Sequence, residues 1–125
     1  MCKSLVGTLA FLAAFALPVS ASAHPHLVSS TPAQEATVSK PTKLSLAFSE
    51  PLLAPLSGIE LTMTAMPGMA NHKPMPVKGF KTEVKGKTMT ATLPRALPTG
   101  SYLVKWHAVA ADQHRIEGSF TFKVT

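Results

Sequence analysis

LPTGSYLVKWHAVAADQHRIEGSFTFKV, residues 97 to 124, decides the fold. Tyr102, Val104 and Trp106 alternate with Leu103, Lys105 and His107, and Phe120, Phe122 and Val124 alternate with Ser119, Thr121 and Lys123. A period of two is that of a strand with one face in a core and the other in water. The same alternation recurs upstream in Leu44, Leu46 and Phe48 and in Ile59, Leu61 and Met63. No segment carries a helical period.

Working outward, the candidate strands are His26 to Ser30, Lys43 to Phe48, Gly58 to Thr64, Val77 to Glu83, Lys87 to Leu93, Ser101 to Ala108 and Gly118 to Val124. Turn signals fall between them: Thr31-Pro32, Lys40-Pro41, Glu50-Pro51, Ala54-Pro55, Lys85-Gly86-Lys87 and Leu97-Pro98-Thr99-Gly100. Seven short antiparallel strands with regular punctuation predict an all-β domain, a seven-stranded Greek-key barrel or sandwich.

The domain is preceded by a leader. Residues 1–23 carry Lys3, an apolar stretch from Leu5 to Leu17, Pro18 and the small run Ser20, Ala21, Ser22, Ala23. This is the pattern of a secretory signal peptide with an Ala-x-Ala cleavage site, and the apolar stretch is too short to span a bilayer. Cleavage after Ala23 leaves residues 24–125, one domain beginning at His24 and not embedded in a membrane. The single cysteine, Cys2, leaves with the leader. Disulfides and thiolate metal sites are thereby excluded, so a metal must be held by His, Met, carboxylate or the amino terminus. The chain is basic, with net charge +6, but its lysines are scattered and no aromatic-rich basic stripe accompanies them, so nucleic acid is not an expected partner.

The run LTMTAMPGMANHKPM, residues 61 to 75, holds every methionine except Met1 and Met89. Pro67, Gly68 and Pro74 break regular structure and Asn71, His72 and Lys73 are polar, so most of the run is expected in an exposed loop. Methionine in a loop has no core gap to fill. Thioether sulfur is a soft neutral donor suited to Cu(I), and Met66, Met69, His72 and Met75 are the candidate ligands. Met63 has two readings, ligand or inward residue of the strand Ile59-Leu61-Met63.

A second set forms around the new amino terminus. After cleavage, His24 offers an α-amine and an imidazole Nδ1 able to chelate one metal ion, an arrangement Cu(II) favours. The amino-terminal clasp that would use His26 is blocked, because it needs the amide nitrogen of position two and Pro25 has none. Asp112 and His114, spaced by two in the segment VAADQHR, are candidates for the remaining positions, while His26 and His107 complete no motif.

HPHLVSSTPA at the start, LAFSEPL in the second strand, the methionine run and LPTGSYLVKWHAVAADQHRIEGSFTFKV at the end together resemble the CopC family of periplasmic copper-resistance proteins. The resemblance covers essentially all of residues 24–125. It implies a cupredoxin- or immunoglobulin-like Greek-key β fold and a carrier with two copper sites at opposite ends. The family's Cu(II) ligands match His24, Asp112 and His114, and its Cu(I) ligands match Met63, Met66, Met69, His72 and Met75. It also implies a periplasmic location and a partner such as an inner-membrane copper transport protein or another periplasmic copper protein. A monomer is expected, with a copper-bridged dimer as the alternative. Local departures are His107 where a basic residue, usually Arg, is expected, Arg115 where Pro is expected, and His26 at a position often filled by Lys or Glu.

Two other functions compete with a non-enzymatic carrier. An amino-terminal His with a second His also resembles the copper brace of oxidative polysaccharide monooxygenases, but that chemistry needs an open coordination position and an aromatic binding face. The other competitor is a β-sandwich interaction module without metal, whose methionines are incidental.

Overall fold

The computed structural model describes residues 24–69 and 73–125, so the leader and His72 lie outside the described residues. The described residues form nine strands, the longer ones built on alternating apolar residues: β1 Leu27–Thr31, β2 Thr37–Val38, β3 Lys43–Phe48, β4 Gly58–Ala65, β5 Met75–Pro76, β6 Lys81–Lys85, β7 Thr88–Thr92, β8 Gly100–Val109 and β9 Arg115–Val124. A 3-10 turn, Ala54–Leu56, carries Pro55 within it. The four-stranded sheet runs β1-β3-β7-β6 and the five-stranded sheet β2-β9-β8-β4-β5. All pairings are antiparallel except that of β2 with β9.

The fold is thus an open two-sheet sandwich and not a closed barrel. Seven of the strands correspond to the seven predicted segments, and the count rises because β2 and β5, two residues each, also pair. One segment is displaced: the strand expected over Val77 to Glu83 begins at Lys81. Gly79 takes a left-handed φ of 83°, which ends extended pairing there and lets the chain cross from β5 in one sheet to β6 in the other.

The alternations of the sequence are the core. Leu44, Leu46 and Phe48 face Met89, Ala91 and Leu93 of the same sheet's neighbourhood and meet Ile59, Leu61, Tyr102, Val104, Trp106, Phe120, Phe122 and Val124 of the other. Inward residues of the five-stranded sheet align across strands, with Leu61 opposite Val104 and Val104 opposite Phe120. Phe48 meets Trp106 edge-on at 5.0 Å across the sandwich. Trp106 fits because its cross-strand partner is Gly118: a Cβ there would stand 2.3 Å from the indole ring. Buried Tyr102 stacks on Phe122 and donates its hydroxyl to the Pro98 carbonyl at 2.6 Å, so its one polar group is satisfied. Burial pushes the Tyr102 hydroxyl pKa up.

Strand β8 is the ruler of the molecule. It pairs over its full ten residues with β9 and at its start with the methionine-bearing end of β4. At about 3.3 Å per residue its two ends stand roughly 30 Å apart.

Candidate metal centres

At the far end of β8, the link to β9 is a tight turn in which the Gln113 N–H donates to the Ala110 carbonyl at 2.9 Å. Gln113 adopts a left-handed φ of 62°. This turn, rather than an extended chain, places Asp112 beside His114, which corrects the strand-spacing argument for that pair. The Asp112 Oδ1 accepts the His114 backbone N–H at 3.2 Å, fixing the carboxylate. Its Oδ2 is the focus of two imidazoles: it pairs with His24 Nδ1 and lies 3.3 Å from His114 Nδ1.

The three side chains are the one group of three or more His, Asp or Glu donors drawn together among the described residues, with all ligand atoms within 4.8 Å of one another. A first-row metal about 2 Å from each donor spans opposite donors roughly 4 Å apart, so the cluster needs a contraction of less than an ångström to close on one ion. The Asp112 side chain is only 14% exposed while both imidazoles stand open to solvent, so the carboxylate is the fixed element and the rings are the movable ones. Burial pushes the Asp112 carboxyl pKa up. The His114 N–H, the His24 hydrogen bond and the positive charge each imidazole carries when protonated outweigh it and hold the carboxyl below its usual range.

At the near end of β8, β4 runs into a methionine hairpin. Met63 stands opposite Met75 of β5, so both side chains project from one face of the sheet. A spacing of three would put Met66 on the other face. The register with β8 slips by one residue between Met63 and Ala65, and this bulge returns Met66 to the core side, where it packs half-buried against the core cluster. Met66 and Met69 then bridge backbone to backbone across Pro67 and Gly68, with Gly68 at φ 79°, the position of a turn that requires a left-handed residue.

The methionines therefore form a graded series. Met63 is 7% exposed and belongs to the core cluster, Met66 is half-buried, and Met75 and Met69 are 47% and 54% exposed. The expected exposure holds for Met69 and Met75, although Met75 lies in strand β5 and not in a loop, and Met63 is buried opposite Met75. His72 falls outside the described residues. Gly100 was not singled out from sequence, yet a Cβ on it would stand 2.5 Å from the Ala65 carbonyl oxygen and 3.3 Å from the Met63 methyl. It makes room for the bulge, and only its position in a turn signal marked it.

The other two histidines stay apart from both ends' donor sets. His26 Nδ1 lies 3.1 Å from the Ser49 hydroxyl, which also accepts the His26 backbone N–H. His107 lies on the outer face against Gly58 and opposite Glu117, in a shallow depression it shares with Glu60, Lys105 and Arg115.

A two-sheet β-sandwich with an imidazole-carboxylate-imidazole cluster at one end and a thioether hairpin at the other defines a β domain with two candidate metal centres. Residues 27–125 match the CopC domain model, and the chain belongs to the CopC family. It is 48% identical over 118 residues to copper resistance protein C of Pseudomonas syringae pv. tomato, covering 91% of this chain and 90% of that one. Copper resistance protein C of Xanthomonas campestris pv. juglandis is 43% identical, covering 98% and 96%. Among solved structures, PcoC, a methionine-rich copper resistance protein from Escherichia coli, superposes with a TM-score of 0.74 at 43% identity, covering 82% of this chain and 100% of its own.

Proposed function

We propose that this protein is a periplasmic copper-binding protein of copper resistance, which sequesters or hands on copper and uses separate sites for its two oxidation states. Cu(II) is bound by His24, Asp112 and His114, and Cu(I) by the hairpin of Met63, Met66, Met69 and Met75 with His72. The observation that carries this reading is the segregation of donors: a nitrogen and oxygen set converges at one end of β8, and thioethers gather at the other. Borderline nitrogen and oxygen donors suit Cu(II) and soft thioethers suit Cu(I). The relatives' names as copper resistance proteins support the choice of metal.

Removal of residues 1–23 as a secretory leader would give His24 a free α-amine, completing a four-donor set with two imidazoles and the carboxylate. A carrier is favoured over an oxidase, because, among the described residues, Trp106 and Tyr102 are buried and neither offers an aromatic platform for a polysaccharide. Asp112 would also take up a coordination position on the bound copper that oxygen chemistry needs to be open. Neutral thioethers exchange without proton movement, which suits transfer of Cu(I) to a methionine-rich site on a membrane transporter or another copper protein.

The test is an extra residue placed before His24. It is expected to abolish tight Cu(II) binding and to leave Cu(I) binding intact, read by competition with chelators selective for each ion. Equal loss at both sites would overturn the two-site reading.

A further inference from the structure

The graded exposure of the methionines has a chemical consequence beyond metal binding. Met69 and Met75 hold their thioethers at the surface, Met66 is half-buried, and Met63 and Met89 are 7% and 0% exposed. The chain's one cysteine is Cys2, within the residues read as a leader, so in the mature protein methionine is the only sulfur available to an oxidant. We propose that Met69 and Met75 are sites of reversible oxidation by peroxide, and that their sulfoxides switch off the Cu(I) end while leaving the Cu(II) end in place. The switch rests on the Cu(I) reading of the hairpin given above.

The step balances with hydrogen peroxide as the oxidant. A sulfur lone pair attacks one peroxide oxygen, an S–O bond forms, the O–O bond breaks, the transferred oxygen loses its proton to solvent, and the departing hydroxide takes a solvent proton and leaves as water. Sulfur loses two electrons and peroxide gains them. The product presents a polar oxygen where a soft sulfur stood, and Cu(I) prefers the sulfur. Access decides which methionines react, since oxidation follows exposure and Met63 and Met89 are sealed in the sandwich. None of the three side chains converging at the other end carries sulfur. Both sulfoxides sit on the surface, where methionine sulfoxide reductases of the thiol-dependent class reach them, so the modification is reversible.

The experiment treats copper-free mature protein with graded hydrogen peroxide, removes the peroxide with catalase, and maps oxygen addition by peptide mass spectrometry. Oxygen is expected first on Met69 and Met75, later on Met66, and last on Met63 and Met89. Anaerobic Cu(I) titration of the singly and doubly oxidised forms is expected to show at least about a tenfold loss of affinity, the low end of what a disturbed ligand shell costs. Reductase treatment is expected to restore it, and Cu(II) affinity is expected to stay within twofold. The double variant Met69→Leu with Met75→Leu, at exposed positions that do not threaten folding, is expected to bind Cu(I) weakly and to be indifferent to peroxide.

Uniform oxidation of all five methionines of the mature chain, or sulfoxides at Met69 and Met75 with Cu(I) affinity unchanged, would overturn the switch alone. Absence of Cu(I) binding in untreated protein would overturn the Cu(I) reading and the switch with it.

Discussion

Replacing Gly100 by Ala tests how the fold makes the methionine end. The new Cβ would stand 2.5 Å from the Ala65 carbonyl oxygen, whereas carbon-to-oxygen contacts settle at about 3.3–3.6 Å, so roughly an ångström must be found. Neither partner yields it cheaply. The carbonyl is backbone at the bulge of β4, and the Met63 methyl, 3.3 Å from the same Cβ, is held in the core. Overpacking of this kind costs about 1–3 kcal/mol, which for a domain near a hundred residues lowers Tm by roughly 4–20 °C. The relief available is to straighten the bulge, and that would turn Met66 off the core side and out of the Met63 group. Gly100→Ala should therefore lose both stability, measured by thermal unfolding of the copper-free protein, and Cu(I) affinity, measured by anaerobic competition. Cu(II) affinity, set roughly 30 Å away, should be unchanged. Wild-type Tm together with wild-type Cu(I) affinity would refute the claim that the bulge sets the phase of the methionines.

Three further outcomes follow from the same geometry. Asp112→Asn should cut Cu(II) affinity by at least about tenfold, because a charged ligand and the anchor of both imidazoles are weakened together, with Cu(I) affinity unaffected in the same titration. In copper-free protein the lowered Asp112 carboxyl pKa makes its stabilising contribution complete above the ordinary aspartate range and lost as pH falls through the lowered value. The Tm difference between wild type and Asp112→Asn should thus be present at neutral pH and vanish in strong acid, and a constant difference would contradict the assignment. Gly118→Ala should destabilise by about 1–3 kcal/mol in denaturant titration by forcing the Trp106 ring from its seat, with a shift in tryptophan emission.

The core was legible in the sequence because burial on one face leaves a period of two, and the triplets at Leu44, Tyr102 and Phe120 are buried as read. What sequence hid depends on contacts between distant residues. Strands β2 and β5 are too short to show a period and exist through their partners Lys123 and Val124, and Thr62 and Met63. The expected leader cleavage, the spacing of Asp112 and His114 and the family resemblance named His24, Asp112 and His114 as a metal set, yet His24 and Asp112 lie 88 positions apart in sequence and meet only because β1 and the β8–β9 turn share an end of the sandwich. The Asp112 and His114 pairing was read for an incorrect reason, since a left-handed Gln113 and not an extended strand sets it. Met63 illustrates the limit: its donor chemistry and its place in a strand period pointed two ways, and the structure seats it in the core opposite Met75.

The central claim is that two chemically different sites fill independently. The direct measurement is anaerobic loading of the mature protein with one equivalent of Cu(II) followed by one of Cu(I), with bound metal and oxidation state read by electron paramagnetic resonance and copper analysis after desalting. The account predicts two coppers retained, one paramagnetic with nitrogen couplings and one silent, in either order of addition. Retention of a single copper, or displacement of the first ion by the second, would contradict it.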